Sequence, residues 1–479
     1  MRGIWPAGSF ERAVAILFAL VLLALGITTL VNAPLSFDGA YYLFRVLDTH
    51  QFAYDLNRLI NIPLQLPAMA ATHFTQDIRV LCLTFSAAYC SVPVSGLAVS
   101  WLVCRRRPSL FIWPAMSMCV AALPGQFFFQ TEAIMVPTLL WPALLTPLIG
   151  TSAAVLPLVA IASVIATASH PIAAPLLALA VLVTVVSAIT RPQMRRASLW
   201  FALFLGLLLV ARVATPRHEW ERRTYTVQIA VNSFRNAVLG WPLVAIAFTM
   251  IAALICLFPA RRRASAYLMM PLILSGAALV AWAIQPANWA ICLDYRYWAP
   301  PVSLMLMSGA AVEELWLRRS TESRLQEIRR YAMPLIGAIF LIVLSIQSVQ
   351  WALMNQRLTS DLMNSDRGCV VFNSVPWLGD TPMDHWGVTL YAVLLQGRKP
   401  NTLLLPSQFA CHLFAVDGDA SFVEMGTFKF VRPRREGWFE FEDARWKTRY
   451  RRRFFEDGSF TPRAAPSQDA AILDAVPPI

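Results

Sequence analysis

The chain has 479 residues, 57% of them hydrophobic and only 14% charged, with a net charge of +12. Ordinary soluble domains carry roughly 25% charged residues, so this composition excludes a wholly soluble globular chain. The positive charge does not indicate nucleic acid, because many of the arginines stand in short loops between apolar runs, where they set membrane topology. Lysine occurs only at Lys399, Lys429 and Lys447, and this use of arginine for basic charge reads as a GC-rich bacterial genome.

A bilayer core needs about 20 mostly apolar residues per helix. The first run, Val14–Val31, follows Glu11 and Arg12. It is long for a signal peptide and lacks a small-residue cleavage site, which predicts a retained anchor. Residues 33–76 follow, too long a stretch for a simple connector. Asp38 opens this loop just past the first run, followed by Gly39, Tyr41, Tyr42, Arg45 and Asp48. Apolar residues at Tyr42, Leu43, Val46 and Leu47, and again at Leu56, Leu59 and Ile60, repeat at helical spacing. They predict short amphipathic helices lying along the membrane interface. Asp38 also suits the cap of a helix starting at Gly39, a role that does not prevent catalysis.

Further runs cover 78–103, 108–124, 132–149, 152–168, 171–190, 197–213, 241–260, 265–284, 298–317 and 332–350, giving eleven predicted spans. Three polar patches interrupt them. Phe127 to Glu132 joins two runs and sets Gln130 and Glu132 among aromatics, although an interfacial aromatic belt explains the rings equally. Ser169-His170-Pro171 opens another run, where a histidine before proline also fits a plain turn. Asp294-Tyr295-Arg296-Tyr297-Trp298 places a guanidinium among rings, an arrangement that can grip phosphate with a planar fork; a local Asp–Arg pair in an aromatic belt is the plainer reading.

Composition shifts near Trp351, which predicts a membrane domain over 1–350 and a soluble domain over 351–460, with a disordered tail at 461–479 rich in Ala, Pro and Asp. Short β-like runs at Cys369–Phe372, Thr402–Leu405, Ser421–Glu424 and Thr427–Phe430, with a final hairpin from Trp438, predict an α+β domain. Cys369 and Cys411 are its only cysteines and are predicted to pair, in a compartment that permits disulfides. The chain contains no zinc spacing, no phosphate-binding glycine loop and no nucleophile elbow, so its residues indicate no resident metal.

The arginines orient the chain. With the N-terminus cytoplasmic, the inner loops hold Arg105–Arg107, then Arg191, Arg195 and Arg196, then Arg261–Arg263, then the segment Arg318–Arg330. Short, dense basic clusters belong on that side. An odd number of spans puts the C-terminal domain in the periplasm. No carboxylate lies in the middle of a predicted span, which argues against an ion-coupled transporter. All six histidines, with Asp38, Asp48, Asp55, Asp77, Glu132, Glu219, Glu221 and Asp294, fall on the outer face or at its membrane edge.

An acid just after the first span, followed by aromatics and interfacial helices, resembles the GT-C superfamily of membrane glycosyltransferases, such as protein O-mannosyltransferases and aminoarabinose transferases. The resemblance covers architecture along the whole chain and rests on short motifs. It implies transfer of a sugar from a polyprenyl-phosphate carrier to a glycan, lipid or protein acceptor at the periplasmic face of a bacterial inner membrane. Asp38 then matches the catalytic acid, as general base or as the group orienting the acceptor hydroxyl. Arg296, with Arg45 or Arg58, would neutralise the leaving phosphate, where fixed cations act on developing charge. Tyr41, Glu132, His170, Asp294 and Tyr295 complete the expected substrate site. The family's adjacent acidic pair is missing here, since Gly39 follows Asp38, which leaves open whether a divalent metal takes part. The rival reading is a non-enzymatic protein: a flippase-like carrier or an envelope assembly factor.

Overall fold

The computed structural model of the chain describes residues 8–36, 38–49, 52–53, 58–75, 77–122, 132–215, 303–304, 306–317, 323–364, 369–375, 377–378, 388–396, 403–405, 422–425 and 428–431. Helices dominate: α1 (Gly8–Leu30), α2 (Asp38–Thr49), α3 (Asn61–Ala71), α4 (Ile78–Cys104), α5 (Ile112–Ala122), α6 (Glu132–Ile149), α7 (Leu156–Thr167), α8 (Ala173–Thr190), α9 (Arg195–Ala214), α10 (Ser323–Met363) and α11 (Val388–Gln396). Residues 306–317 are also helical and end in the π-turn Glu313–Leu317. Among the described residues five helices are long and apolar enough to cross a membrane: Phe10–Leu30, Ile78–Cys104, Ala173–Thr190, Pro192–Ala214 and Gln326–Met363. Predicted spans 241–260 and 265–284 lie outside the described residues.

Every polar backbone group in a bilayer needs an internal partner, which is why apolar runs of this length become helices. Their outer faces remain apolar. On α9, Leu203, Leu207, Val210 and Val213 are all exposed, as suits a helix whose solvent is lipid.

Helix α6 forms the centre of the bundle, buried from Met135 to Leu148 and packed on α4, α5, α7 and α8. It contains Pro137, Pro142 and Pro147. Each proline removes one helical N–H, and the one lost at Pro142 frees the carbonyl of Thr138. That carbonyl faces Gly96 of α4, where an added Cβ would stand 2.6 Å from the oxygen. A glycine at this crossing lets two backbones approach closely, the usual way helices pack without a hydrophobic drive between them. The helix ends at Gly150, whose φ of +74° is the left-handed turn that glycine adopts at a helix C-terminus.

Helices α1 and α10 run side by side and parallel. Gly337 of α10 lies against Leu17 and Leu20 of α1, and eleven residues further along both chains Thr28 meets Ser348 at 3.3 Å. Helix α4 runs the other way. Its Ser86 hydroxyl donates to Asn32 at the end of α1, while Phe111, just past its far end, stacks on Phe18. The parallel pair brings the chain after α10 to the same end of the bundle as the loop after α1.

The composition shift at Trp351 falls inside α10, which continues unbroken to Met363. The extension keeps one buried face, with Trp351, Met354, Leu358 and Leu362 at helical spacing. Helix α11 packs against that face, its Tyr391 ring 5.2 Å from Trp351 and its hydroxyl donating to Asn355 at 2.5 Å. Burial and the neighbouring Cys82 thiol push the Tyr391 hydroxyl well above its ordinary pKa, against the pull of Asn355. Beyond α10, β1 (Cys369–Val371) pairs in parallel with β2 (Leu403–Leu405), and β3 (Phe422–Met425) pairs antiparallel with β4 (Phe428–Val431). These four strands fall on the four predicted β-like runs. Helix α11 carries an apolar stretch that the β-like reading of this region did not anticipate. The predicted hairpin from Trp438 and the tail lie outside the described residues.

Candidate functional site

The end of the bundle that holds the loop after α1 is built in layers. Helix α1 stops at Asn32, whose φ of +56° is a conformation that asparagine tolerates better than most residues. A short turn, Ala33–Leu35, leads into α2, which Asp38 opens. Gly39 follows for a steric reason: a Cβ there would lie 1.8 Å from the carbonyl oxygen of Pro34, with Phe85 of α4 at 3.4 Å. The backbone beside Asp38 is thus pressed against the turn and the second long helix, and no acidic side chain could occupy position 39 without moving them.

Helix α2 was expected to lie on the interface with one face in water. Instead Ala40 to Phe44, Val46 and Leu47 are all buried, and only Arg45 between them is half-buried. The helix is enclosed by α3, by the turn before it and by α11. Its apolar stripe was legible, but the additional cover comes from a helix some 340 residues away in sequence. Tyr41 is 4% exposed and its ring lies 5.8 Å from that of Tyr42.

Helix α3 packs on α2 and α4. The turn that begins it is fastened to the turn between α7 and α8, because the Leu59 N–H donates to the carbonyl of Ala168 at 2.9 Å. That contact brings together two expected site residues from distant parts of the chain. Arg58 is buried on one turn and His170 on the other. The His170 Nδ1 accepts from the N–H of Ile172 at 3.3 Å, so part of the imidazole's role is to close its own turn. One helical turn into α3, Gln65 clamps Ala53: its Oε1 accepts from the Ala53 N–H at 2.7 Å and its Nε2 donates to the Ala53 carbonyl at 2.9 Å. Neither Gln65 nor the fully buried Asn61 was among the expected residues. Their spacing of four along a short amphipathic helix was the available signal.

Of the other expected residues, Glu132 is the first of α6, while Asp294, Tyr295 and Arg296 lie outside the described residues. Cys369 opens β1, in register with Leu403; Cys411 lies outside. Among the described cysteines, Cys82, Cys90, Cys104 and Cys119 are buried in α4 and α5. No group of three or more His, Cys, Asp or Glu suited to a metal ion occurs among the described residues.

The opposite end of the bundle collects basic clusters that are far apart in sequence. Arg191 donates to the carbonyl of Leu148 and pairs with Glu314 at 3.1 Å. Arg329 grips Glu313 with both prongs, at 2.6 and 2.7 Å, and also donates to the carbonyl of Ser109 at 3.2 Å. The Trp113 indole adds a third donor to Glu313 at 2.8 Å. Gly150 sits beside Met194 and Arg106. Three of the four arginine clusters therefore share one end, and Arg261–Arg263 lies outside the described residues. The adjacent acids Glu313 and Glu314 were not among the expected residues, all of whose carboxylates belong to the other face. Their position beside an arginine-rich segment was the readable sign.

Compared with protein-family models, curated proteins and solved structures, the chain finds no match.

Proposed function

We propose that this chain is a membrane glycosyltransferase of GT-C type, moving a sugar from a polyprenyl-phosphate carrier to an acceptor at the periplasmic face of a bacterial inner membrane. The carrying observation is the layered platform at one end of the bundle. There α2, opened by Asp38, is enclosed by α3, α11 and the turn before it, and the buried Arg58 and His170 lie on separate turns that are bonded to each other. Arginine clusters gathered at the opposite end agree with a cytoplasmic placement of that end. The parallel course of α1 and α10 agrees with an odd number of crossings, eleven on this reading. The soluble segment after α10 then lies in the periplasm beside the platform.

In this reading Asp38 accepts the proton of the acceptor hydroxyl, or orients it, as the sugar carbon leaves the phosphate. Arg296 and Arg58 balance the charge that develops on the leaving phosphate. The test is sugar transfer by the purified full-length protein from polyprenyl-linked donors. Asp38→Asn preserves size and capping ability and is expected to lower transfer about a hundredfold with expression unchanged. Arg296→Lys keeps charge and loses the two-pronged contact, so it is expected to weaken donor use chiefly. Absence of transfer by the wild type from every polyprenyl-linked sugar moves the assignment to the carrier reading. Full activity in Asp38→Asn removes Asp38 as the base.

A further inference from the structure

Asn61 and Gln65 stand one turn apart on α3, both with no exposed surface. Gln65 shows what a carboxamide on this face accepts as a partner: a group that offers a donor and an acceptor side by side, here the N–H and carbonyl of Ala53. Asn61 has the same chemistry and no such group. Neither its Nδ2 nor its Oδ1 has a hydrogen bond from the protein, and it is the only side chain among the described residues with two buried polar atoms both in that position. Proteins seldom bury a polar group in this way without a partner such as a water or a ligand. Its main chain is nevertheless firmly placed, since the Asn61 N–H donates to the carbonyl of Arg58 at 3.0 Å within the turn that Leu59 ties to Ala168. The carboxamide therefore belongs to the layer that holds Arg58 and His170, on a helix packed against the one Asp38 opens.

We infer that the Asn61 carboxamide contacts the sugar of the lipid-linked substrate, an inference that rests on the donor assigned above. The chemistry selects the sugar over the phosphate. A phosphate diester presents acceptors only, which match Nδ2 and leave Oδ1 facing like charge. Two neighbouring hydroxyls of a hexose supply one donor and one acceptor at the spacing a carboxamide spans. A site built to hydrogen-bond a hydroxyl also discriminates strongly against a ligand that lacks it, because its own polar atoms are then left buried without partners.

The experiment compares thermal unfolding of the full-length protein with no lipid, with decaprenyl phosphate, and with decaprenyl phosphate carrying a glucose, galactose or mannose. In the wild type, one of the hexose-bearing lipids is expected to stabilise more than the bare lipid phosphate. Asn61→Leu, close in shape and wholly apolar, is expected to raise the melting temperature without lipid, since it removes an unsatisfied polar group. It is expected to keep the shift caused by decaprenyl phosphate and to lose the increment due to the hexose, with affinity for the hexose-bearing lipid at least tenfold lower. Retention of the hexose increment by Asn61→Leu overturns the contact and leaves the donor assignment intact. A lower melting temperature of Asn61→Leu without lipid overturns it as well, by showing that the carboxamide serves the fold through a buried water. No increment for any hexose in the wild type overturns the donor assignment itself, and the contact with it. If Asn61→Leu does not fold, Asn61→Ala is measured for the same loss of the hexose increment.

Discussion

Gly39 shows how one residue can be set by its neighbours and not by its own chemistry. A family with two adjacent acids at this place leads one to expect a carboxylate at 39. The carbonyl of Pro34 leaves room for a hydrogen only. Gly39→Ala is therefore expected to destabilise the protein by about 2–3 kcal/mol, the usual cost of forcing atoms into a packed site. Thermal unfolding in detergent measures this directly, and an unchanged melting temperature speaks against the close approach. The contact also explains why a single acid, Asp38, opens α2. The amphipathic pattern of residues 42–47 was readable, but the cover by α11 was not, because nothing local to α2 encodes α11.

At the scale of elements, the paired acids of the π-turn decide how the arginine-rich end is held. Glu314 and Arg191 are 4% and 8% exposed, so each depends on the other for its charge. Removing one member of a buried pair leaves an uncompensated charge and commonly costs about 3–5 kcal/mol, whereas replacing both by apolar residues of similar size is often nearly neutral. Glu314→Gln is accordingly expected to destabilise by about 3 kcal/mol, and Glu314→Leu combined with Arg191→Met is expected to recover most of it. A double-mutant cycle by thermal unfolding distinguishes this from two independent losses. A π-turn widens the helix by one residue; here two consecutive acids reach arginines of different segments, Arg191 just before α9 and Arg329 near the start of α10. The apolar run that ends at Leu317 was visible in the sequence, but the use of its last two acids as a brace required knowing which helix ends share a face.

For the whole molecule, the parallel α1 and α10 are the feature with most consequence. They place the segment after α10 and the first loop together, and two parallel spanning helices imply an odd number of crossings from the one through the other. Reporter fusions after Arg107, Arg196 and Arg263 are expected to report cytoplasm, and a fusion after Asp361 is expected to report periplasm. A cytoplasmic signal after Asp361 contradicts the orientation on which the proposed site depends. A periplasmic setting also predicts a disulfide between Cys369 and Cys411. Thiol labelling under denaturing conditions should find both blocked until a reductant is added. Their loop encloses about 40 residues, for which chain entropy gives on the order of 3–4 kcal/mol of stabilisation; free thiols in protein that has reached the periplasmic face end the idea.

The sequence by itself determined the long apolar helices and the order in which they occur, because a run of apolar residues about 20 long has few ways to satisfy its backbone other than as a helix in lipid. It also determined where helices stop, through arginine clusters, glycine at Gly150 and asparagine at Asn32. The β-like runs after α10 became strands for an equally local reason, the alternation and β-branched content of a few consecutive residues. What only the tertiary structure decided was company. That Leu59 bonds Ala168, that α11 covers α2, that Gly96 meets the carbonyl freed by Pro142, and that Glu313 and Glu314 each find an arginine all depend on which surfaces face each other. Packing between residues hundreds of positions apart leaves no periodic mark in a single chain, so the partners of a helix cannot be read from the helix alone.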